Sequence, residues 1–439
     1  MIASLLRIAP FSILLAAVAL LMLGMGLQNT LLGVRAGLEA FSNIEVGFLM
    51  AAYFVGFLAG STLVPFFVST VGHIRTFSAL ASLASSAVLL HLVIVDPIFW
   101  SVFRFITGFC IAGLYLVVES WLNGSAEKEY RGVLLSSYFF VNLGAIAFGQ
   151  LLLQAEDPRG FELFVYASVL MSLAVLPVGL ARTKAPAPTR RASLNFAMLA
   201  RVSPYALVGT AMAGLSNGAF WGLAPLYGVK VGADPDQISV AMMVTILGGA
   251  ALQLPLGRLS DVIDRRIVIS AANVVLGLLA GIIALGLFGN QATALVLAFV
   301  FGGLLLTQYA LCIAHANDFV ADGNFVQLAS ALLLVFGGCA AIGPIAGSVV
   351  MTVFGASALF WLIAAAAFAS TAFALWRMTR RQAVDMPGAN EFTPAAAGLS
   401  GGILAPNEAA REGAGTNAPI EPLETPSPMS KQGAEPSTG

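Results

Sequence analysis

The sequence predicts an all-α membrane protein: twelve transmembrane helices in two pseudosymmetric six-helix halves, followed by a disordered tail. Three observations carry this. The first 376 residues divide into twelve apolar stretches separated by short polar connections. A helix rises about 1.5 Å per residue and a bilayer core is about 30 Å thick, so stretches of roughly twenty residues span it. Hydrophobic residues make up 59% of the chain and charged residues 10%, against roughly 25% charged in an ordinary globular domain. The third observation is duplication, described below. A transmembrane barrel is excluded, because its strands would be about ten alternating residues, not long unbroken apolar runs.

The first span, near 8–31, follows Arg7 and contains the apolar stretch FSILLAAVALLMLGMGLQNTLL. More spans follow at once and no small-residue cleavage site is evident, so it reads as a retained helix and not as a signal peptide. The second, 44–68, carries Gly56-x3-Gly60, a small-residue face for close packing. Spans 76–95, 98–122, 132–153 and 161–181 complete a first bundle over 1–181. Residues 182–202, basic and Pro-containing, form a central cytoplasmic loop. The second bundle, 203–376, holds spans 203–227, 237–256, 267–288, 292–315, 325–352 and 356–376. Span 325–352 contains Gly343-Pro344-Ile345-Ala346-Gly347, a second small-residue face. Residues 377–439, rich in Ala, Gly, Pro, Ser and Glu with almost no aromatics, bury too little apolar area to offset chain entropy and are expected to be a disordered cytoplasmic tail.

With the amino terminus inside, the cytoplasmic segments hold fifteen basic residues, from Arg7 and Arg75 to Arg377, Arg380 and Arg381. The outer segments hold three: Arg35, Arg159 and Lys230. By the positive-inside rule both termini are cytoplasmic, in a multi-pass protein of the cell (inner) membrane. Net charge is −1, so nothing points to nucleic acid. Cys110, Cys312 and Cys339 lie inside apolar stretches without metal spacing and read as small buried residues.

Sliding the sequence by 194 positions pairs Tyr115 with Tyr309, Asn123 with Asn317, Leu134 with Leu328, Ser136 with Ser330 and Val141 with Val335. Gly144 with Gly338, Ala147 with Ala341 and Gly149 with Gly343 continue the series. Two parallel repeats of six helices, with substrate at their shared midplane, is an architecture of secondary transporters.

In span 4, Arg104 lies seven residues past Pro97, about 10 Å into the helix. A charge at depth costs roughly 2.5–3.5 kcal/mol on insertion scales, so it faces a cavity and has a task, or snorkels to a carbonyl near the interface. At 100° per residue Arg104, Gly108, Tyr115 and Glu119 form one polar stripe. Glu119 is a candidate proton carrier, or a gate residue paired with Arg131 ahead of Gly132. Span 10 ends in His315, Asn317 and Asp318. His315 titrates in the physiological range but is 240° round the helix from Tyr309, so it shares no cavity face with that residue, and a capping or loop-anchoring role competes.

The connection between spans 8 and 9 reads LPLGRLSDVIDRR, with Gly257 for close helix approach and Arg258, Asp261, Asp264, Arg265 and Arg266 as a charge cluster. Gly-Arg-Leu-Ser-Asp followed by Arg-Arg resembles the loop signature of the major facilitator superfamily, which recurs between helices 2–3 and 8–9. The first-half counterpart, VPFFVSTVGHIRTF, keeps Gly72 and Arg75, but Pro65, Ser69 and Thr70 replace the usual Gly and charges. Arg104-x3-Gly108 resembles the family motif associated with proton coupling. Glu119-Ser120-Trp121-Leu122-Asn123, Arg131-Gly132, LPLGRLSD and AHAND together resemble its YcaD-like branch. The resemblance covers about 8–376. It implies that helices 1, 4, 7 and 10 line the cavity, making Gln28, Asn29, Asn217, Trp221, Gln308 and Tyr309 substrate-contact candidates, although such residues also serve as helix–helix glue.

The expected function is secondary active transport of a small organic solute by alternating access, coupled to protons, by a monomer in the lipid bilayer that needs no cofactor. Arg104 would hold a substrate anion or bias Glu119. An uncoupled facilitator and a non-transporting sensor or scaffold are the alternatives. No Walker sequence, zinc spacing or nucleophile elbow suggests an enzyme.

Overall fold

The computed structural model describes residues 11–125, 131–180, 203–287, 289–319 and 325–380. The central loop, the side chain of Arg131 and the tail beyond Arg380 lie outside them. The first six helices are α1 (Ser12–Leu38), α2 (Asn43–Val71), α3 (His73–Val93), α4 (Pro97–Ser125), α5 (Arg131–Leu151) and α6 (Glu162–Leu180, with a break at Ala174). The last six are α7 (Pro204–Lys230), α8 (Pro235–Val262), α9 (Arg265–Ala284), α10 (Gln291–Asn317), α11 (Phe325–Phe354) and α12 (Ala358–Met378). A 3-10 turn, Leu152–Ala155, follows α5.

Local chemistry sets the helix starts. Ser42 and Glu45 close a reciprocal capping box on α2, and Asp234 with Gln237 does the same for α8, where Pro235 occupies the first turn. Asn290 accepts from the Thr293 amide at the start of α10. Between α2 and α3 the connection is Gly72 alone, at φ 88°, a conformation that a β-carbon disfavours. Helices run further than the hydropathy boundaries suggest. Arg35 and Lys230, expected in outer loops, belong to the last turns of α1 and α7, and Pro65 sits inside α2.

Eleven of these helices are long and apolar enough to cross a membrane; α7 is the exception. It carries Thr210, Ser216 and Asn217 among many glycines, and most of it is buried against other helices. A helix shielded from lipid has no need of a lipid-like surface.

Lipid tails are as apolar as leucine, so close backbone contact, not hydrophobicity, holds such helices together. Four crossings show it. Gly26 on α1 meets the carbonyl of Ile146, and Gly149 on α5 meets that of Leu23. Gly56 on α2 meets Phe105, and Gly108 on α4 meets Tyr53. In the second half Gly218 meets Ala340, Gly343 meets Leu215, Gly248 meets Phe299 and Gly302 meets Thr245. A β-carbon at any of the eight would overlap the facing backbone. Each second-half glycine lies 192 or 194 positions after its first-half counterpart, so the duplication seen in sequence is a duplication of helix crossings.

The halves meet through α1–α7, α2–α11 and α5–α8. Among the described residues, the close contacts at glycines between the halves gather at one end. Gly33 and Gly37, late in α1, face Pro225, Leu226 and Val229, late in α7. Gly47, early in α2, faces Ser348 and Pro344 of α11, and Gly222 faces Met50. Gln154 donates to Ser239, early in α8, at 2.7 Å. This end carries the α1–α2, α5–α6, α7–α8 and α11–α12 connections. Towards the other end, the contact between Gly337 and Leu58 lies near mid-helix.

Candidate functional site

A buried polar row runs down the inside of the first half, and α4 supplies its backbone. At the sealed end, Arg104 Nη2 donates to Asn29 Oδ1 at 3.0 Å, and its guanidinium lies 4.5 Å from the ring centre of Tyr53. Arg104 is 4% exposed, and its Nε and Nη1 have no hydrogen-bond acceptor. Asn29 sits one turn before Gly33, and Tyr53 one turn after Met50, so the guanidinium lies one helical turn beneath the seal between the halves. Next along the row, the Tyr115 hydroxyl donates to Asn142 Oδ1 at 3.0 Å and lies against Met22 Sδ at 2.8 Å. Furthest down, the Tyr138 hydroxyl donates to Glu119 Oε1 at 3.1 Å. Thr30 donates to Gln150 beside the row, between α1 and α5.

The stripe expected from the helical wheel therefore forms, with two corrections. Gly108 is not part of the lining, because it is spent on the crossing with α2. Arg104 and Glu119, fifteen residues apart, stand about 22 Å from each other along α4, too far for direct bias of one by the other. Snorkelling is also set aside, since the guanidinium ends on Asn29 and Tyr53 and not on an interfacial carbonyl. Pairing of Glu119 with Arg131 falls on a side chain outside the described residues.

Four other candidates, Gln28, Gln308, Asn217 and His315, lie against helices of their own half. Gln28 is fully buried on the face of α1 where Gly24, one turn earlier, meets Ala167 and Met171 of α6. Gln308 donates to Asn273 of α9, which donates to Ser370 of α12, a polar tie inside the second half. Asn217 donates to the carbonyls of Ala213 and of Leu305 on α10. His315 stacks edge-on with Tyr205 and Phe319 at the far end of the second half. Tyr309 packs on Phe336 with ring centres 4.7 Å apart, and Phe54 of α2 packs against that cluster from the first half. Trp221 stacks edge-on with Phe220, and its indole N–H is without an acceptor.

At the end opposite the seal, the two second-half motifs meet. Arg265, at the start of α9, pairs with Asp261 at 2.8 Å and with Asp318, just past α10, at 2.9 Å. Arg266 pairs with Asp264 at 2.7 Å. Burial alone would raise the Asp264 carboxyl, but hydrogen bonds from the Arg266 side chain and amide outweigh it and hold the group below its usual range. Asp318 thus anchors the 8–9 connection, as a loop-anchoring reading of AHAND requires. Gly257 is buried within α8, Arg258 is exposed, and Asn317 is buried. In the first half the equivalent region offers Gly72 as the turn and an exposed Arg75.

Tyr53, Asn142 and Tyr138 complete the row, and sequence reasoning missed them. Asn142 carried a readable signal, being an amide in mid-span. Tyr53 and Tyr138 carried none, because a tyrosine in a span is equally at home in packing.

Residues 206–415 match the profile of the Major Facilitator Superfamily. The chain is 28% identical over 362 residues to an uncharacterized MFS-type transporter YcaD of Escherichia fergusonii, covering 82% of this chain and 93% of the relative. It is 29% identical over 362 residues to YcaD of Salmonella heidelberg, with the same coverage. Among solved structures, a point mutant of the nucleoside transporter NupG superposes with a TM-score of 0.71 at 10% identity, covering 82% of this chain and 98% of that one. A D-xylose-proton symporter superposes with a TM-score of 0.59 at 12% identity, covering 88% and 98%. These likenesses show the fold.

Proposed function

We infer, for a chain that belongs to the major facilitator superfamily, that transport proceeds by alternating access and is coupled to protons. Multi-pass membrane insertion and solute transport follow from the family. The rocking bodies are 1–181 and 203–376, joined by the central loop, and one chain supplies both, so a monomer is the working unit. The observation that carries the reading is that, among the described residues, the close contacts between the halves gather at one end, with an under-bonded buried cation beneath them. A central site that two rigid bodies expose in turn has this form. With both termini in the cytoplasm of the cell (inner) membrane, the sealed end is the outer one, and the structure is the inward-open member of the pair.

Glu119 is the proposed proton-binding group. It is 4% exposed, holds Tyr138, and lies towards the open end, where the cytoplasm supplies or takes a proton. The test is flux in proteoliposomes under an imposed pH gradient, after a thermal-stabilisation panel of metabolites and drugs at pH 5.5 and 7.5 has supplied a ligand. Gradient-driven accumulation that Glu119→Gln abolishes, with exchange retained, supports coupling at this residue. Flux indifferent to the gradient overturns coupling and selects the facilitator. Stabilisation without flux overturns transport and selects a sensor.

A further inference from the structure

We propose that a cleft at the open end of the second half binds a phosphate group, carried by an anionic membrane lipid, with Arg377 as its principal cation. This site is separate from the row along α4, and its occupancy does not depend on the transport reading above.

Four helix ends form the cleft: Ser203 and Pro204 at the start of α7, Arg266 at the start of α9, His315 at the end of α10 and Arg377 in the last turn of α12. Its empty volume, the open mouth included, is about 270 Å³, which admits a phosphate group. Ser203 caps α7, its hydroxyl accepting from the Ala206 amide at 3.4 Å, so the positive end of that helix borders the cleft. Positive charge is in surplus at this end of the second half. Among the described residues, Arg258, Arg265, Arg266, Arg377 and Arg380 stand against Asp261, Asp264 and Asp318. Asp261 and Asp318 are taken by Arg265, and Asp264 by Arg266. Arg377 has no carboxylate partner among the described residues, and its guanidinium lies 6.0 Å from the ring centre of Trp376. A planar guanidinium holds phosphate oxygens through paired hydrogen bonds, and the helix end beside it favours the same charge.

The surroundings of Arg377 point to a lipid as the carrier. Leu375 and Trp376, the two residues before it, are 54% and 51% exposed. They end a helix long and apolar enough to cross a membrane, so their exposed faces meet lipid. A tryptophan in the last turn of such a helix marks the level at which hydrocarbon gives way to headgroups. A lipid whose chains lie along this side of α12 therefore carries its phosphate at the depth of Arg377. Basic clefts between the cytoplasmic ends of spans receive anionic headgroups in this way. A phosphate held here also ties together the ends of α7, α9, α10 and α12, so its binding stabilises the second half.

The experiment follows thermal stabilisation of the purified full chain in neutral detergent as phosphatidylglycerol or phosphatidylcholine is added, and equilibrium binding of inorganic phosphate and glycerol 3-phosphate. Phosphatidylglycerol is expected to stabilise at a concentration well below that of phosphatidylcholine. Arg377→Gln should raise the half-saturating phosphatidylglycerol concentration about fivefold, the worth of one basic residue near a membrane surface. Arg380→Gln, exposed and outside the cleft, should leave it within about twofold. Arg377→Gln breaks no carboxylate pair and should melt with the unaltered protein when no lipid is present. If it melts lower, Arg377→Lys takes its place; it keeps the charge but loses the paired hydrogen bonds, and should weaken phosphatidylglycerol about twofold. Soluble phosphates that bind as well as the lipid, and are lost in Arg377→Gln, would support the phosphate site and overturn the lipid as its carrier. Equal stabilisation by the two lipids without binding of soluble phosphate, or a phosphatidylglycerol effect undiminished in the Arg377 variants, would overturn the site. An equal loss in Arg377→Gln and Arg380→Gln would also overturn it, in favour of diffuse attraction to the surface.

Discussion

Replacing Gly33 by Ala should push the protein out of the sealed conformation. A β-carbon built on Gly33 lies 2.8 Å from Pro225 Cβ and 3.3 Å from Pro225 Cγ. Carbon atoms rest at about 3.5–4.0 Å, and the proline ring has no rotamer by which to yield. The sealed end must therefore part slightly or bear an overpacking cost of about 1–3 kcal/mol. That cost vanishes when α1 and α7 separate, whereas the gain in helix propensity is common to both states. At 1.4 kcal/mol per factor of ten, the equilibrium moves towards the outward-open state by roughly 5- to 150-fold. The assay places a cysteine at Ser239, the seal partner of Gln154, after Cys110, Cys312 and Cys339 are replaced, and measures labelling by a membrane-impermeant maleimide from the outer side. Gly144→Ala is the control, since a β-carbon there meets nothing within 4 Å. Unchanged labelling in Gly33→Ala, or an equal rise in Gly144→Ala, would refute the assignment of this contact as the seal.

Gly108→Ala and Gly248→Ala should each lower thermal stability by about 1–3 kcal/mol or more, because the facing atom is backbone and cannot swing aside; a melting curve in detergent indistinguishable from that of Gly144→Ala would count against the crossings. Asp318→Asn should loosen the tie between α9 and α10 at Arg265, which is 3% exposed, read as faster proteolysis at the 8–9 connection. Because the Asp264 carboxyl is held below its ordinary value of 3.8, its stabilising contribution is present above that value and lost as pH falls through the lower folded value. The stability difference between the native protein and Asp264→Asn should accordingly be flat near neutrality and shrink only in acid; a difference that grows in acid would reverse the sign. Tyr138→Phe should alter the pH midpoint of flux while leaving ligand binding at saturation intact, measured in the same proteoliposomes.

Much of the fold was legible because membrane insertion reads one segment at a time. Each span's length and apolarity can be judged without its neighbours, and the duplication could be seen from Tyr115 and Tyr309 or Gly149 and Gly343 alone. The helical wheel also placed Arg104, Tyr115 and Glu119 in one row, since periodicity along a single helix is a local property. The candidates on other helices fared worse. Gln308 and Asn217 are amides in mid-span, as Asn29 is, yet the first two tie helices of the second half together and Asn29 accepts from Arg104.

The sequence by itself determined the number of spans, their order, the repeat, and a buried arginine that requires a partner. Only the tertiary structure decided which residues share a site. In a soluble protein the apolar face of a helix marks the core, but in a bilayer lipid and core are equally apolar, so a span carries little record of which side faces which neighbour. Tyr53 reached Arg104, and Asp318 reached Arg265, through helix crossings whose positions depend on glycines distant in the chain. The end at which the halves meet was decided the same way, by Gly33 against Pro225 and Gly47 against Ser348, contacts between residues nearly two hundred or more positions apart.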